Sequence, residues 1–121
     1  MQGRVKVSVF AISLVAAVSI AAPASAGHAV ESRVTIKSDG FASFHGRVIS
    51  RSAFCRQNRR VWLVGRYSDG VHPIDFVTTN KRGRWKQSTQ LQGASRVRAL
   101  ASPKRRTGLR CPRARSRWVT P

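Results

Sequence analysis

The sequence predicts an all-β fold, built as an antiparallel sandwich or barrel. Apolar and polar residues alternate in seven short segments, which is the pattern of strands with one buried face. Turn-forming Gly, Asn and Asp residues separate these segments at short and fairly even spacing. After the first 26 residues, no window carries a sustained apolar period of about 3.6 residues, so no long helix is indicated. A chain of 121 residues has room for one domain.

The first half of the domain contains three predicted strands. Residues 33–37 alternate polar and apolar side chains and end at a turn over residues 38–40. Residues 44–49 form a second alternating strand, and a loop over residues 51–58 follows it. The strongest alternation lies in residues 59–67, which we therefore expect to form a central part of the sheet.

The second half contains four more predicted strands. The pair His72–Pro73 excludes a central strand at that point because proline lacks the amide that a ladder needs, so the fourth strand is placed at residues 74–79. Asn80 to Gly83 then turn the chain. The remaining strands are residues 84–91, 96–101 and 115–120, with a basic loop over residues 103–112.

The alternation also predicts which residues form the interior and its turns. Large or branched apolar residues and two glycines fall on the same side of their strands or at a tight turn. The predicted core and turn residues are Phe44, Gly46, Val48, Val61, Leu63, Gly83, Trp85, Val97 and Ala99.

Residues 1–26 are predicted to be a signal-peptide helix. Arg4 and Lys6 precede an apolar run over residues 7–22, and Ala24 and Ala26 fit the small-residue rule for cleavage after Ala26. As a helix the run would span roughly 24 Å, less than the ~30 Å hydrocarbon core of a bilayer. An uncleaved anchor is the alternative. Cleavage would leave a polar tail over residues 27–32 and a domain over residues 33–121, with no transmembrane span.

Cys55 and Cys111 are the two cysteines of the chain. Export favours a disulfide between them. Such a bond would close a long loop and stabilise the fold by roughly 4 kcal/mol in the chain-entropy model. A metal site or a reactive thiol is the alternative, but two cysteines without nearby histidines or carboxylates make a poor metal site.

Several short motifs resemble a known family. They are Phe44–Val48, Arg59–Val64 followed by Thr78–Trp85, and Val97–Ala99. Together they are similar to the carboxypeptidase-regulatory or transthyretin-like type of Ig-like sandwich, as in small secreted bacterial proteins of unassigned function. The similarity covers roughly residues 32–120 and implies a seven-stranded antiparallel sandwich with a cysteine pair placed as Cys55 and Cys111 are. Asn80 stands where Asp is usual, and we expect it to serve the same turn. The resemblance implies no activity and no zinc site.

The charge is the main functional signal. The chain has 23 Lys and Arg against four Asp and Glu, a formal charge of +19, and loss of Arg4 and Lys6 with the signal peptide would leave +17. Guanidinium groups bind phosphate and carboxylate in a bidentate way. The candidate anion-binding residues are Arg56, Arg59, Arg60, Lys81, Arg82, Arg84, Lys104, Arg105, Arg106, Arg110, Arg113, Arg115 and Arg117.

A disulfide would bring the first and last of these basic groups together, and Lys86, Arg96 and Arg98 add further outward charge. Clustering of this kind focuses positive potential and speeds the capture of polyanions. The alternative is that the arginine excess reflects genome base composition and that each charge only solvates a surface.

No catalytic constellation is present. We expect His45 to find a cross-strand partner, and His72 near Asp75 is half of a triad without a nucleophile motif. The four acids are scattered among turns and tail, so no paired acid and base is indicated. His28 is a weak metal candidate, because cleavage after Ala26 would let the Gly27 amine, an amide and the imidazole chelate Cu²⁺. No cofactor is predicted.

The sequence therefore predicts a secreted, non-enzymatic cationic β-sandwich module. We expect it to bind anionic cell-envelope or extracellular polymers electrostatically, without sequence-specific nucleic-acid recognition. The alternative is a secreted cationic antimicrobial or membrane-active effector, which needs exposed apolar groups beside the charge, with Trp118 and Trp62 as candidates. A third class, an enzyme, would need converging titratable groups in a pocket.

Overall fold

A computed structural model describes residues 27–90 and 93–121 of the chain, and the predicted signal peptide lies outside these residues. Within them the all-β prediction is confirmed, with a single short helical turn, α1 (Ala53–Arg56). The strands are β1 (His28–Ala29), β2 (Arg33–Val34), β3 (Lys37–Gly40), β4 (Ser43–Ile49), β5 (Arg60–Tyr67), β6 (Gly70–Thr78), β7 (Arg84–Ser88), β8 (Arg96–Ala101), β9 (Lys104–Arg106), β10 (Leu109–Cys111) and β11 (Ala114–Arg115).

The strands form three sheets. One antiparallel sheet has the order β11-β8-β5-β6, with β5 and β8 in its centre. In the second sheet, β2, β3 and β7 all pair antiparallel with β4. The third sheet is small: β9 and β10 form a hairpin, and β1 pairs in parallel with β10.

The two larger sheets share one hydrophobic core. The core contains Val34 and Ile36, Phe44 and Val48 of β4, Trp85 of β7, and the inward residues Val61, Leu63, Val97, Ala99 and Ala101 of β5 and β8. All seven apolar residues predicted for the interior belong to it, and the predicted Gly46 and Gly83 are buried as well. A second, smaller cluster surrounds the disulfide and contains Val30, Cys55 and Cys111, with Phe54 and Leu109 packed against it.

Two glycines are required where backbones approach closely. A Cβ at Gly46 would overlap the carbonyl oxygen of Thr35 and lie 2.9 Å from Cζ2 of Trp85. Gly83 has a φ of +79°, and a Cβ there would overlap the carbonyl oxygen of Val48. The turn before it is held by Asn80, whose Oδ1 accepts the amides of Arg82 at 2.9 Å and Arg84 at 3.0 Å. Asn80 therefore forms the turn that was predicted for it.

The strand count differs from the predicted seven because several segments are divided or extended. The predicted strand at residues 33–37 is split into β2 and β3, and the turn follows β3 at Phe41 and Ala42, both with positive φ. The predicted last strand, residues 115–120, is reduced to β11 and an isolated bridge between Val97 and Val119. Pairing is interrupted there because the Ser116 hydroxyl, not a main-chain carbonyl, accepts the Ala99 amide at 2.8 Å.

Three further segments gain pairing that the sequence did not predict. The segment expected to be a polar tail contains β1, and its pairing with β10 makes the fold not wholly antiparallel. The predicted basic loop at residues 103–112 contains the β9–β10 hairpin, which turns at Thr107 and Gly108 with a positive φ at the glycine. Strand β6 begins at Gly70 and passes through Pro73. This proline is tolerated because β6 lies at the edge of its sheet, next to a register shift in its pairing with β5.

Candidate anion-binding face

The outward side of the β11-β8-β5-β6 sheet carries the densest group of arginine and aromatic side chains. Along β5, Trp62, Val64 and Arg66 alternate with the core residues. Cross-strand pairing places Phe76 opposite Trp62, Arg98 opposite Val64, and Arg115 opposite Leu100. We call this surface the arginine–aromatic face, and its members are Arg60, Trp62, Arg66, Phe76, Arg98, Arg115 and Trp118.

Aromatic rings hold several of these guanidinium groups in place. The ring centroids of Trp62 and Phe76 lie 5.0 Å apart in a stacked arrangement, and Arg60 Cζ lies 4.7 Å from the centroid of Phe76. At the other end of the face, Trp118 is contacted by two guanidinium groups. Arg66 Cζ lies 4.9 Å and Arg98 Cζ 4.2 Å from its ring centroid.

A cavity of about 510 Å³ opens beside Trp118, and we call it the Trp118 cleft. Four cations line it, and no carboxylate does. Its apolar walls come from β5, β6 and β8. The lining residues are the arginines Arg66, Arg98, Arg113 and Arg115, together with Val64, Val71, Leu100 and Trp118.

Three of the four acidic side chains of the sequence are engaged elsewhere. Asp39 Oδ2 lies 2.8 Å from His45 Nδ1, and Asp69 Oδ1 lies 2.9 Å from His72 Nε2. Asp75 accepts hydrogen bonds from the Gln87 side chain and the Phe76 amide. Within residues 27–90 and 93–121, these two histidine pairs are the side-chain ion contacts, so no lysine or arginine there is paired with a carboxylate.

Arg98 is the most perturbed cation of the cleft. Its side chain is half-buried, and its Nε has no hydrogen-bond acceptor in the described part of the chain. Desolvation first, and then the charges of Arg115 and Arg66, lower the pKa of Arg98 below its ordinary range. Guanidinium remains charged at neutral pH, so the cleft concentrates positive charges that repel one another.

Arg59 was predicted to bind anions, but the structure gives it another role. The residue is 0% exposed. Its guanidinium donates to the carbonyl oxygens of Ser102 at 2.6 Å, Cys55 at 2.7 Å and Pro112 at 2.8 Å, and to the Ser32 hydroxyl at 3.1 Å. Burial lowers its pKa. We call this arrangement the Arg59 clamp, and it removes Arg59 from the set of groups that can meet an external anion.

The clamp lies against the predicted disulfide, which is confirmed. Cys55 and Cys111 are bonded, and their Cα atoms are 5.6 Å apart. The two basic groups flanking the cysteines meet only in part. Lys104 and Arg106 lie over the ring of Phe54, with Nζ and Cζ at 4.2 and 4.6 Å from its centroid. Lys104 Nζ also donates to the carbonyl oxygens of Phe54 and Gln57.

The other predicted cations are spread over the surface. Arg56 joins Lys81, Arg82 and Arg84 of the β6–β7 turn around a cavity of about 350 Å³. Arg105, Arg113, Arg115 and Arg117 are exposed, and Arg110 is half-buried in β10. Of the thirteen candidates, Arg60, Arg113 and Arg115 belong to or adjoin the arginine–aromatic face, whereas Arg66 and Arg98 were not among the thirteen.

A second cavity, of about 680 Å³, opens beside Trp85 and is also basic, with His45, Arg47, Arg84 and Lys86 in its lining. The Trp85 Nε1 is buried and has no acceptor in the described residues. His45 takes Asp39 of the neighbouring strand as its partner, as predicted.

The remaining histidines are His72 and His28, and both make contacts that the sequence did not predict. His72 is paired with Asp69, not with Asp75, and this contact lowers the pKa of Asp69 through a hydrogen bond and the charge of His72. His28 lies in β1, where its amide donates to Gly108 O at 3.1 Å. Copper chelation through that amide would have to break this bond. In the described residues, no group of three or more His, Cys, Asp or Glu side chains is placed to hold a metal ion.

Comparisons with known proteins leave the site to be interpreted on its own geometry. No protein-family model, no curated protein and no solved structure matches the chain. Among the described residues, no helix has the length and apolar character needed to cross a membrane.

Proposed function

We propose that this protein is an exported, non-enzymatic module that binds anionic polymers of the cell envelope or extracellular space. The observation that carries the proposal is the arginine–aromatic face, where three of the four guanidinium groups contact aromatic rings and none has a carboxylate partner. Cations that lack an internal partner are available to an external polyanion, and bidentate guanidinium donors suit phosphate and carboxylate.

The proposal includes the finer fold class and the destination. We propose that the two larger sheets form an Ig-like sandwich of the transthyretin-like type, which the shared core and the Asn80 turn support. Export by a signal peptide at residues 1–26 is supported by the basic start, the apolar run and the small residues at Ala24 and Ala26. An extracellular location also suits the Cys55–Cys111 disulfide.

Co-sedimentation of the purified protein with isolated cell walls tests the binding. We expect association at low salt that weakens steeply as NaCl is added, because the attraction is screened within about 10 Å at 0.1 M salt. Two triple variants distinguish the contribution of the arginine–aromatic face to binding from that of the net charge. Substitution of Gln at Arg66, Arg98 and Arg115 changes the face, and substitution of Gln at the exposed Arg33, Arg51 and Arg105 removes the same charge elsewhere.

We expect the first variant to lose most of the association and the second to retain most of it. Equal losses would mean that net charge alone governs binding, and the proposed face would then be wrong. Failure of the unsubstituted protein to sediment with the walls at low salt would overturn the proposed function itself.

A second candidate function, a membrane-active effector, is favoured by apolar exposure on the same face. Val71 is 52% and Phe76 38% exposed on the edge strand β6. Exposed apolar groups beside arginines are the combination that amphipathic membrane binders use. Dye-loaded anionic vesicles discriminate between the two functions: binding with dye release supports the effector, and binding without release supports the module.

A further inference from the structure

We propose that the Trp118 cleft is a binding site for a phosphate group carrying more than one negative charge, such as a phosphomonoester or a pyrophosphate. This inference rests on the proposed function and names the group that the arginine–aromatic face recognises. It is carried by the convergence of four arginines on one cavity beside a tryptophan that contacts two of them.

The guanidinium groups are held in place before any ligand arrives. Arg66 and Arg98 lie over the Trp118 ring at 4.9 and 4.2 Å from its centroid. A guanidinium that contacts an aromatic ring still has N–H donors at its planar edge, and those donors fit an oxyanion in a bidentate way. Because the arginines are already positioned, an anion would find donors whose conformational entropy is partly lost beforehand.

The charge of the cleft favours a multivalent anion. Arg66 and Arg115 both lie close enough to Arg98 to repel it, and the cleft lining contains no carboxylate to relieve that repulsion. A bound anion would remove part of this repulsion as well as forming its own hydrogen bonds. A phosphomonoester brings about −1.5 to −2 charges and three strong acceptor oxygens at neutral pH, whereas a carboxylate brings one charge and two oxygens.

The walls of the cleft strengthen this preference. The buried Val64 and half-buried Leu100 give it apolar walls, so charges bound beside them are less exposed to water than on an open surface. Arg98 lines this space, but its Nε is buried and has no acceptor in the described residues, so the donors it would offer a ligand are its terminal N–H groups. Electrostatic attraction rises as water is excluded.

Isothermal titration of the purified protein with pyrophosphate tests the site. The decisive variants are Arg115→Gln and Arg66→Gln, because both side chains are exposed and their replacement should leave the fold intact. We expect each to weaken pyrophosphate binding about tenfold, the usual loss for one charge-assisted hydrogen-bonding group. The matched control Arg33→Gln removes one charge from the other large sheet and should weaken binding less than about twofold.

Arg115→Lys supplies a second measurement. It keeps the charge but loses the planar donors, so binding weaker than that of the unsubstituted protein would indicate bidentate recognition. Equal weakening by Arg115→Gln and Arg33→Gln would overturn the proposal, since net charge would then explain the affinity. Stronger binding of acetate than of pyrophosphate would overturn it too.

Vesicles distinguish a lipid source of the phosphate from a soluble one. Phosphatidic acid presents a phosphomonoester headgroup, and phosphatidylglycerol presents a phosphodiester with one charge. Preference for phosphatidic acid that Arg115→Gln abolishes would assign the site to a lipid phosphate, and pyrophosphate binding without that preference would assign it to a soluble or polymer-borne phosphate.

The two proposals fail in different ways. If pyrophosphate does not bind while cell walls still sediment with the protein, the cleft proposal is wrong and the general binding function stands. If pyrophosphate binds and the walls do not sediment, the cleft remains a phosphate site and the proposed function is wrong.

Discussion

Arginine serves two opposite purposes in this molecule, at the Arg59 clamp and at the Trp118 cleft. In the clamp a single guanidinium is fully buried, and four neutral oxygens accept its hydrogen bonds. In the cleft several guanidinium groups share one cavity, and their neighbours are aromatic rings, apolar side chains and one another. Neither site contains a carboxylate, so ion pairing does not explain the difference between the clamp and the cleft.

The difference lies in the acceptors. Carbonyl oxygens from α1 and from the segments after β8 and β10 converge on Arg59, because the disulfide joins α1 to β10 and the pairing of β8 with β5 brings Ser102 beside it. A buried charge that is well hydrogen-bonded ties these segments into one unit. In the described residues no carboxylate lines the cleft, so the donors of its cations remain available to an anion from outside the chain. Acceptors, rather than the number of arginines, separate a structural cation from a binding one.

The largest effect is expected from removing the covalent link of the clamp region. Replacing Cys55 and Cys111 with alanine should lower the free energy of unfolding by about 4 kcal/mol, because the bridge restricts a loop of about 56 residues in the unfolded chain. Urea denaturation of the oxidised protein and the double variant measures the difference. A loss below about 1 kcal/mol would contradict the importance assigned to this region.

The next effect tests the clamp itself. Arg59→Met should lower the free energy of unfolding by about 3 kcal/mol, because the carbonyl oxygens of Cys55, Ser102 and Pro112 would be left buried without their donor. Arg60→Met is the matched control, since Arg60 follows Arg59 in the sequence but is exposed at the start of β5. Arg59→Lys keeps the charge but cannot reach the same acceptors, so it should fall between the two. Equal stability of Arg59→Met and the control would refute the clamp.

The sequence predicted the clamp region and the cleft to different degrees. Alternation along β4, β5 and β8 was sufficient to place Phe44, Leu63 and Ala99 in the core, since burial on one face sets a period of two. The disulfide followed from the cysteine count. The structural role of Arg59 could not be predicted in this way, because burial of a cation depends on carbonyl groups distant in sequence, such as those of Ser102 and Pro112.

The Trp118 cleft could not be predicted from the sequence for a related reason. Alternation places Arg66 and Arg98 on outward faces, but nothing in the sequence states that β5 and β8 are neighbours. Trp118 lies after β11, outside regular pairing except for the adjacent Val119 bridge, so its contacts with both arginines depend on the tertiary fold. The alternation of residue types thus predicts which side of a strand a residue lies on, whereas the order of the strands in the sheet decides which cations lie close together.

A smaller effect of opposite sign is expected in the cleft. Arg115→Gln should slightly raise the midpoint of urea denaturation at low salt, because it removes repulsion between Arg115 and Arg98 without removing an internal hydrogen bond. The gain should disappear near 1 M NaCl, where the screening length is about 3 Å. Denaturation curves at the two salt concentrations test this. Destabilisation at low salt would mean that the cleft arginines stabilise the fold, as Arg59 does.

The smallest effect concerns Lys104, which lies beside the clamp. Burial first, and then the charges of Arg59 and Arg106, hold the pKa of Lys104 below its ordinary value of 10.5. Between the lowered pKa and the ordinary one, the unfolded chain binds more protons than the folded chain at this residue. Stability should therefore rise as the pH increases through that alkaline window.

Comparison with Lys104→Arg isolates this contribution. Arginine keeps its proton throughout the window, so the variant lacks the pH dependence that Lys104 contributes. Urea denaturation at several alkaline pH values should show a steeper rise for the unsubstituted protein than for the variant. Identical slopes would mean that neither burial nor the charges of Arg59 and Arg106 change the pKa of Lys104 on folding, and Lys104 would then not sense the clamp beside it.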